Sequence, residues 1–142
     1  MPNEPLWLTE LQIIQINQRL VEQTGEPHGL RDAGLLATAM AAPMHHWEYA
    51  DIGHLAGALL LGIGRVHPFE EGNRRTALTA ASIFLTFNGY RFAAPDGESL
   101  GVFVERAITG SMSENTFLQA MQDATVTSEE WDEFLNSKHE AP

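Results

Sequence analysis

The sequence predicts an all-α protein, a compact bundle of about six or seven helices. Three observations lead there. Short polar residues that open helices recur along the chain: Thr9 with Gln12, Asp32, Asp51, Ser111 with Glu114, and Thr127 with Glu130. Each can accept from an N–H that a first turn leaves unpaired. Apolar residues between these starts repeat at helical spacing. No long alternation of β-branched residues, the mark of a half-buried strand, occurs in the chain. With 142 residues, 44% of them apolar, there is enough material for one hydrophobic core.

Thr9 and Gln12 open a first helix running to about Glu22, with Leu11, Ile14, Leu20 and Val21 on one side. The run Thr24-Gly25-Glu26-Pro27 stops it. Asp32 caps a second, alanine-rich helix that must end before Pro43, because proline disfavours helical backbone in the residue preceding it. Pro43 to Ala50, carrying Met44, His45, His46, Trp47 and Tyr49, reads as a loop or short hairpin. Asp51 starts a third helix, Ile52 to about Ile63, apolar nearly all round and therefore central. Its glycines at 53, 57 and 62 let neighbours come close.

A loop then carries Arg65 to Glu71, and a fourth helix runs from about Asn73 to Asn88, closed by Gly89. Ala77, Leu78, Ala81, Ile83, Phe84 and Phe87 make it another buried element. A fifth helix spans about Ser99 to Thr109, and a sixth opens at the Ser111–Glu114 box and ends near Ala124. The Thr127–Glu130 box ahead of Trp131 and Phe134 suits a short acidic last helix. The division expected is a body at 1–124 and an acidic tail at 125–142.

Nineteen acidic residues against eight basic ones give a net charge of −11, which opposes direct nucleic-acid binding. The absence of cysteine excludes disulfides and thiolate chemistry and fits a reducing, cytoplasmic setting. The N-terminal residues lack the basic and apolar regions of a signal peptide. The longest apolar run, Ile52 to Gly64, falls short of the roughly 20 residues that a membrane helix needs, so no membrane association is expected.

Three of the eight basic residues, Arg65, Arg74 and Arg75, lie within eleven positions around His67. An anionic ligand would explain the cluster, and so would pairing with Glu70, Glu71 and other surface carboxylates. The neighbouring residues favour the ligand. A helix start at Asn73 presents unpaired N–H groups and positive dipole potential, and Gly72 lets backbone approach a phosphate. His67 is suited to general-base work near neutral pH, and Glu71 offers a hard oxygen to Mg²⁺. A base, a metal ligand and an anion nest are the parts that phosphoryl-type transfer requires.

The segment His67-Pro68-Phe69-Glu70-Glu71-Gly72-Asn73-Arg74-Arg75 resembles the signature of the Fic/Doc family, H-x-F-x-(D/E)-G-N-x-R. His67, Phe69, Glu71, Gly72, Asn73 and Arg75 meet every fixed position. Chance would give such a match on the order of once in tens of millions of sites, so the likeness is specific. It extends over roughly residues 8 to 125, taking in Gly29-Leu30-Arg31-Asp32, Arg65 and Phe87-Asn88-Gly89.

The resemblance implies a Fic/Doc-type helical bundle with a short flap hairpin at 43–50, which positions the target by strand addition. His67 would deprotonate the target hydroxyl, and Glu71 would hold Mg²⁺ against the phosphates of ATP. Gly72 to Arg75, with Asn73, Arg75 and the flanking Arg65 and Arg74, would bind the nucleotide, and Phe69 would anchor the loop. Many AMP-transferring members carry glycine where this chain has Arg74 and a further arginine where it has Leu78. The Doc branch is similar in having a long basic residue there, and its members move the terminal phosphate to a threonine of elongation factor Tu. Kinase-type transfer is therefore expected, with AMP transfer or a non-catalytic binding module as alternatives. The family's self-inhibitory motif, (S/T)-x-x-x-E-(G/N), fails here, because Thr125 to Glu129 is followed by Glu130. No glutamate of the chain is therefore expected on Arg75, and inhibition is expected from a separate antitoxin.

Overall fold

The computed structural model describes residues 3–93 and 98–140; the last two residues of the predicted tail are among those outside it. Seven helices are present among the described residues: α1 (Glu10–Thr24), α2 (Ala33–Met44), α3 (Ile52–Val66), α4 (Asn73–Phe87), α5 (Glu98–Thr109), α6 (Glu114–Asp123) and α7 (Ser128–Glu140). Two short strands, β1 (Tyr90–Phe92) and β2 (Thr125–Thr127), pair antiparallel, with Arg91 opposite Val126. The all-α class predicted from the sequence is the class found.

The central element is α3, with Leu55, Ala56, Leu59, Leu60 and Ile63 buried, and α2, α4, α5 and α6 pack against it. Its glycines permit that packing. A Cβ on Gly57 would stand 2.8 Å from Leu118 of α6, and one on Gly62 would stand 2.9 Å from the Ala39 carbonyl of α2. The predicted caps at Thr9 and Asp32 are formed, through Gln12 N–H and Leu35 N–H. The Thr127–Glu130 box is reciprocal as well, and Trp131 stacks on Phe134 within α7.

Several boundaries differ from expectation, each for a local reason. The second helix does not stop before Pro43 but runs through it to Met44. A proline in the last turn removes one hydrogen bond, and the carbonyl it leaves, Ala39, faces the close approach of Gly62. The expected flap hairpin at 43–50 is absent. Its first residues are wound into α2, and His46, Tyr49 and Ala50 spend their N–H groups on carbonyls three or four residues back.

The third helix extends past Ile63 to Val66, so Arg65 lies in its last turn and not in a loop. Asp51 stands at its N-cap without a side-chain capping bond. The sixth helix is capped by Ser113 and not by Ser111, whose hydroxyl instead donates to the Arg106 carbonyl at the end of α5. The buried stripe of α1 is Ile13, Asn17 and Val21, while Leu11 is 63% exposed. Asn17 misled the periodicity, because a buried asparagine reads as a surface residue. The tail begins as part of the body, since β2 closes the sheet with β1.

Candidate active site

The motif occupies the turn between the two buried helices α3 and α4. At its start His67 caps α3 in the left-handed region, φ 53° and ψ 63°, and is the one non-glycine residue with positive φ among those described. That backbone costs an L-residue roughly 1–2 kcal/mol, so its surroundings must hold it. Pro68 and Phe69 dip into the core, and Phe69 is 2% exposed. Burying such a side chain stabilises the turn by about 1.5–3 kcal/mol. The chain returns to the surface at Glu70 and Glu71, and Gly72 opens α4 with φ 74°.

Two asparagines shape this turn. Asn73 accepts from Phe69 N–H at 3.0 Å and donates to the Phe69 carbonyl at 2.9 Å, folding the loop onto the first turn of α4. Its side chain therefore braces the loop. Asn17, buried in α1, donates to the Glu71 carbonyl at 2.7 Å and to the Thr76 hydroxyl at 3.0 Å. A Cβ on Gly72 would lie 3.0 Å from Val21 and 3.3 Å from the Asn17 amide, so α1 presses directly on the helix start. Together these contacts fix the backbone of the turn from Phe69 to Thr76, while the His67 and Glu71 side chains stay exposed.

The three arginines separate. Arg75 reaches the end of α1, where it pairs with Glu26 and lies 3.5 Å from the Leu20 carbonyl and the Thr24 hydroxyl. Arg74 pairs with Glu105 of α5 at 3.2 Å, and not with Glu70. Both partners are about half exposed, and such a pair is worth at most about 1 kcal/mol, little enough for a phosphate to displace it. Arg65 turns to the end of α5, donating to the Ala107 carbonyl at 3.0 Å with Glu114 at 3.6 Å. Its placement is that of a brace between α3, α5 and α6.

The Glu26 carboxylate corrects one expectation, since a glutamate of this chain does sit on Arg75. The Thr24 hydroxyl, then the Arg75 guanidinium, hold its carboxyl below the usual glutamate range, and the Glu71 carboxyl is within hydrogen-bonding reach. Among the described residues no three His, Cys, Asp or Glu side chains gather into a metal cage. Mg²⁺ does not need one, because it usually takes one or two carboxylates and completes its octahedron with phosphate and water. The exposed Glu71 is a donor of that kind.

Asn17, Glu26, Arg31 and Glu105 were not singled out by sequence reasoning. The one available signal was Asn17, placed four residues from both Ile13 and Val21 in an amphipathic helix. Two large surface cavities, about 570 Å³ along α1 and α4 and about 540 Å³ near Trp47 and Tyr90, contain none of the motif residues. No helix among the described residues is long and apolar enough to cross a membrane.

Known proteins resemble this chain in sequence. The chain is 41% identical over 69 residues to a protein of Mycolicibacterium smegmatis named Toxin Doc, an alignment spanning 46% of this chain and 53% of that one. It is 28% identical over 106 residues to the Protein kinase doc of Escherichia phage P1, spanning 72% of this chain and 82% of the phage protein. The family model for the Fic/DOC family matches residues 7–85, which include α1 through most of α4 and the whole motif. With its signature turn built and more than half of its length matched, this chain belongs to the Fic/DOC family.

Proposed function

We propose that the protein is a Doc-like toxin that transfers the terminal phosphate of ATP to a protein hydroxyl, with Mg²⁺ as cofactor. The observation that carries this reading is the turn itself. His67 closes α3, Gly72 opens α4 five residues later, and the exposed Glu71 lies on the turn that joins them. The phosphates would lie against the first amides of α4 and the Arg75 guanidinium, where unpaired N–H groups and the helix dipole favour anions. Arg74 would release Glu105 to reach phosphate. Asn73 and Arg65 would serve by holding the turn and the α3–α5 packing.

In the reaction His67 accepts the proton of a target serine or threonine hydroxyl. The hydroxyl oxygen bonds to the γ-phosphorus as the bridge to the β-phosphate breaks, ADP leaves, and His67 returns its proton to water. Mg²⁺, when bound, would supply neutralisation of phosphate charge, with Glu71 as its protein ligand. Glu71→Ala is therefore expected to weaken nucleotide binding in Mg²⁺ far more than in EDTA, and excess Mg²⁺ should recover part of it. Calorimetric titration checks this; an equal loss in both conditions would make Glu71 only a carboxylate at a helix start.

Two features favour terminal-phosphate transfer over AMP transfer: the long cation Arg74 beside the nest, and similarity to a relative named a protein kinase. In a bacterial lysate, label from γ-labelled ATP should appear on one protein near the mass of elongation factor Tu, the expected cytoplasmic target. Transfer from α-labelled ATP alone would make the protein an AMP transferase. Control by a separate antitoxin is the further part of this reading. Free protein should arrest growth, and a co-expressed small partner should relieve the arrest. Deleting α7 after Thr127, which spares β2, should leave toxicity unchanged; a gain would make the tail the restraint instead.

A further inference from the structure

Arg31 lies outside the motif, on the short segment leading into α2, yet its guanidinium spans the end of α3. Nε donates to the His67 carbonyl at 2.9 Å, and Nη2 donates to the carbonyls of His67 at 2.6 Å and Val66 at 3.0 Å. The segment is also tied to the turn along its backbone. Arg31 N–H and Asp32 N–H donate to the Pro68 carbonyl at 2.7 and 3.2 Å, and Glu70 N–H donates to the Gly29 carbonyl at 3.0 Å. Leu30 forms a bridge with Phe69.

The last carbonyls of a helix have no partner within it and carry its negative dipole end, so a cation there satisfies both needs. The detail that matters is which peptide planes are held. His67 N–H donates to the Ile63 carbonyl at 3.3 Å, which fixes the plane before its Cα. Arg31 grips the carbonyl after it, from two nitrogens. With both flanking planes fixed, the left-handed backbone of His67 is locked and the direction of its Cα–Cβ bond with it. Among the described residues no hydrogen bond reaches the imidazole itself, so its aim depends on this backbone.

We propose that Arg31 is a positioning residue for His67, clamping the end of α3 so that the imidazole faces the acceptor hydroxyl. This rests on the reading of His67 as the general base. The clamp needs a fork: guanidinium reaches two carbonyls from fixed directions, while an ammonium is a single point of charge. Arg31→Gln removes the charge and the fork, and Arg31→Lys keeps the charge alone.

The test measures label transfer from Mg·ATP to the acceptor band in lysate, Mg·ATP affinity, and the three-bond HN–Hα coupling of His67. Arg31→Gln is expected to lower kcat by about 10- to 100-fold, as misplacement of a reacting group by roughly 1 Å does. Mg·ATP affinity should stay unchanged, the His67 coupling should leave its left-handed value, and Arg31→Lys should recover part of the rate. In a His67→Ala background, Arg31→Gln should cause no further loss. Equal losses in the two backgrounds, an unchanged kcat, or loss of nucleotide affinity in parallel with rate would overturn the proposal alone. Wild-type transfer by His67→Ala would overturn the general-base reading and this proposal with it. Should Arg31→Gln fail to fold, Arg31→Lys carries the same comparisons, with a smaller drop in kcat expected.

Discussion

His67→Ala is expected to lower phosphate transfer by about 10²–10⁴-fold, which is roughly 3–5 kcal/mol of barrier. The side chain is exposed and bonds to no group among the described residues, so its removal leaves no buried group unpaired. Alanine also has a smaller side chain to carry through the same left-handed turn, which Arg31 and the buried Phe69 continue to hold. Thermal stability and Mg·ATP affinity should therefore stay near those of the unaltered protein. A rate close to wild type would remove His67 from the mechanism. A large fall in melting temperature would instead mark it as a structural residue of the turn.

Arg75→Ala should weaken Mg·ATP binding by about 10- to 100-fold, from the loss of charge-assisted contacts worth roughly 1.5–3 kcal/mol. The structure adds a second contribution. With Arg75 gone, the Glu26 carboxylate is left without its cation at the nest and repels an incoming phosphate. Adding Glu26→Gln to Arg75→Ala should therefore recover part of the affinity. Glu26→Gln alone should tighten binding, because it removes the carboxylate that competes with phosphate for the guanidinium. Isothermal titration of the four proteins measures all of this, and independent, additive effects of the two substitutions would exclude competition between Glu26 and phosphate.

The site was legible in the sequence because its parts are contiguous. A nine-residue segment between two apolar helices carries the proposed base His67, the carboxylate of Glu71, the glycine with positive φ and the proposed phosphate-binding Arg75. Local rules were enough for most helices, since capping at Thr9, Asp32 and Thr127 depends only on residues three positions away. They failed where a residue had two uses. Ser111 looked like a cap and closes α5; Pro43 looked like a stop and is tolerated in a last turn packed against Gly62.

The sequence by itself determined the helical class, the central position of α3 and the family motif on which the proposed site rests. Hydrophobic periodicity, glycine placement and one contiguous motif are local properties, readable without coordinates. Only the tertiary structure decided where the charges and polar side chains end. Arg65 went to Ala107, Arg74 to Glu105 and Arg75 to Glu26, partners 31 to 49 residues away in sequence. Asn17 and Arg31 reached the turn from 54 and 36 residues away. Long side chains form several pairings of similar energy, so the choice among them is fixed by which helices the packed core brings side by side.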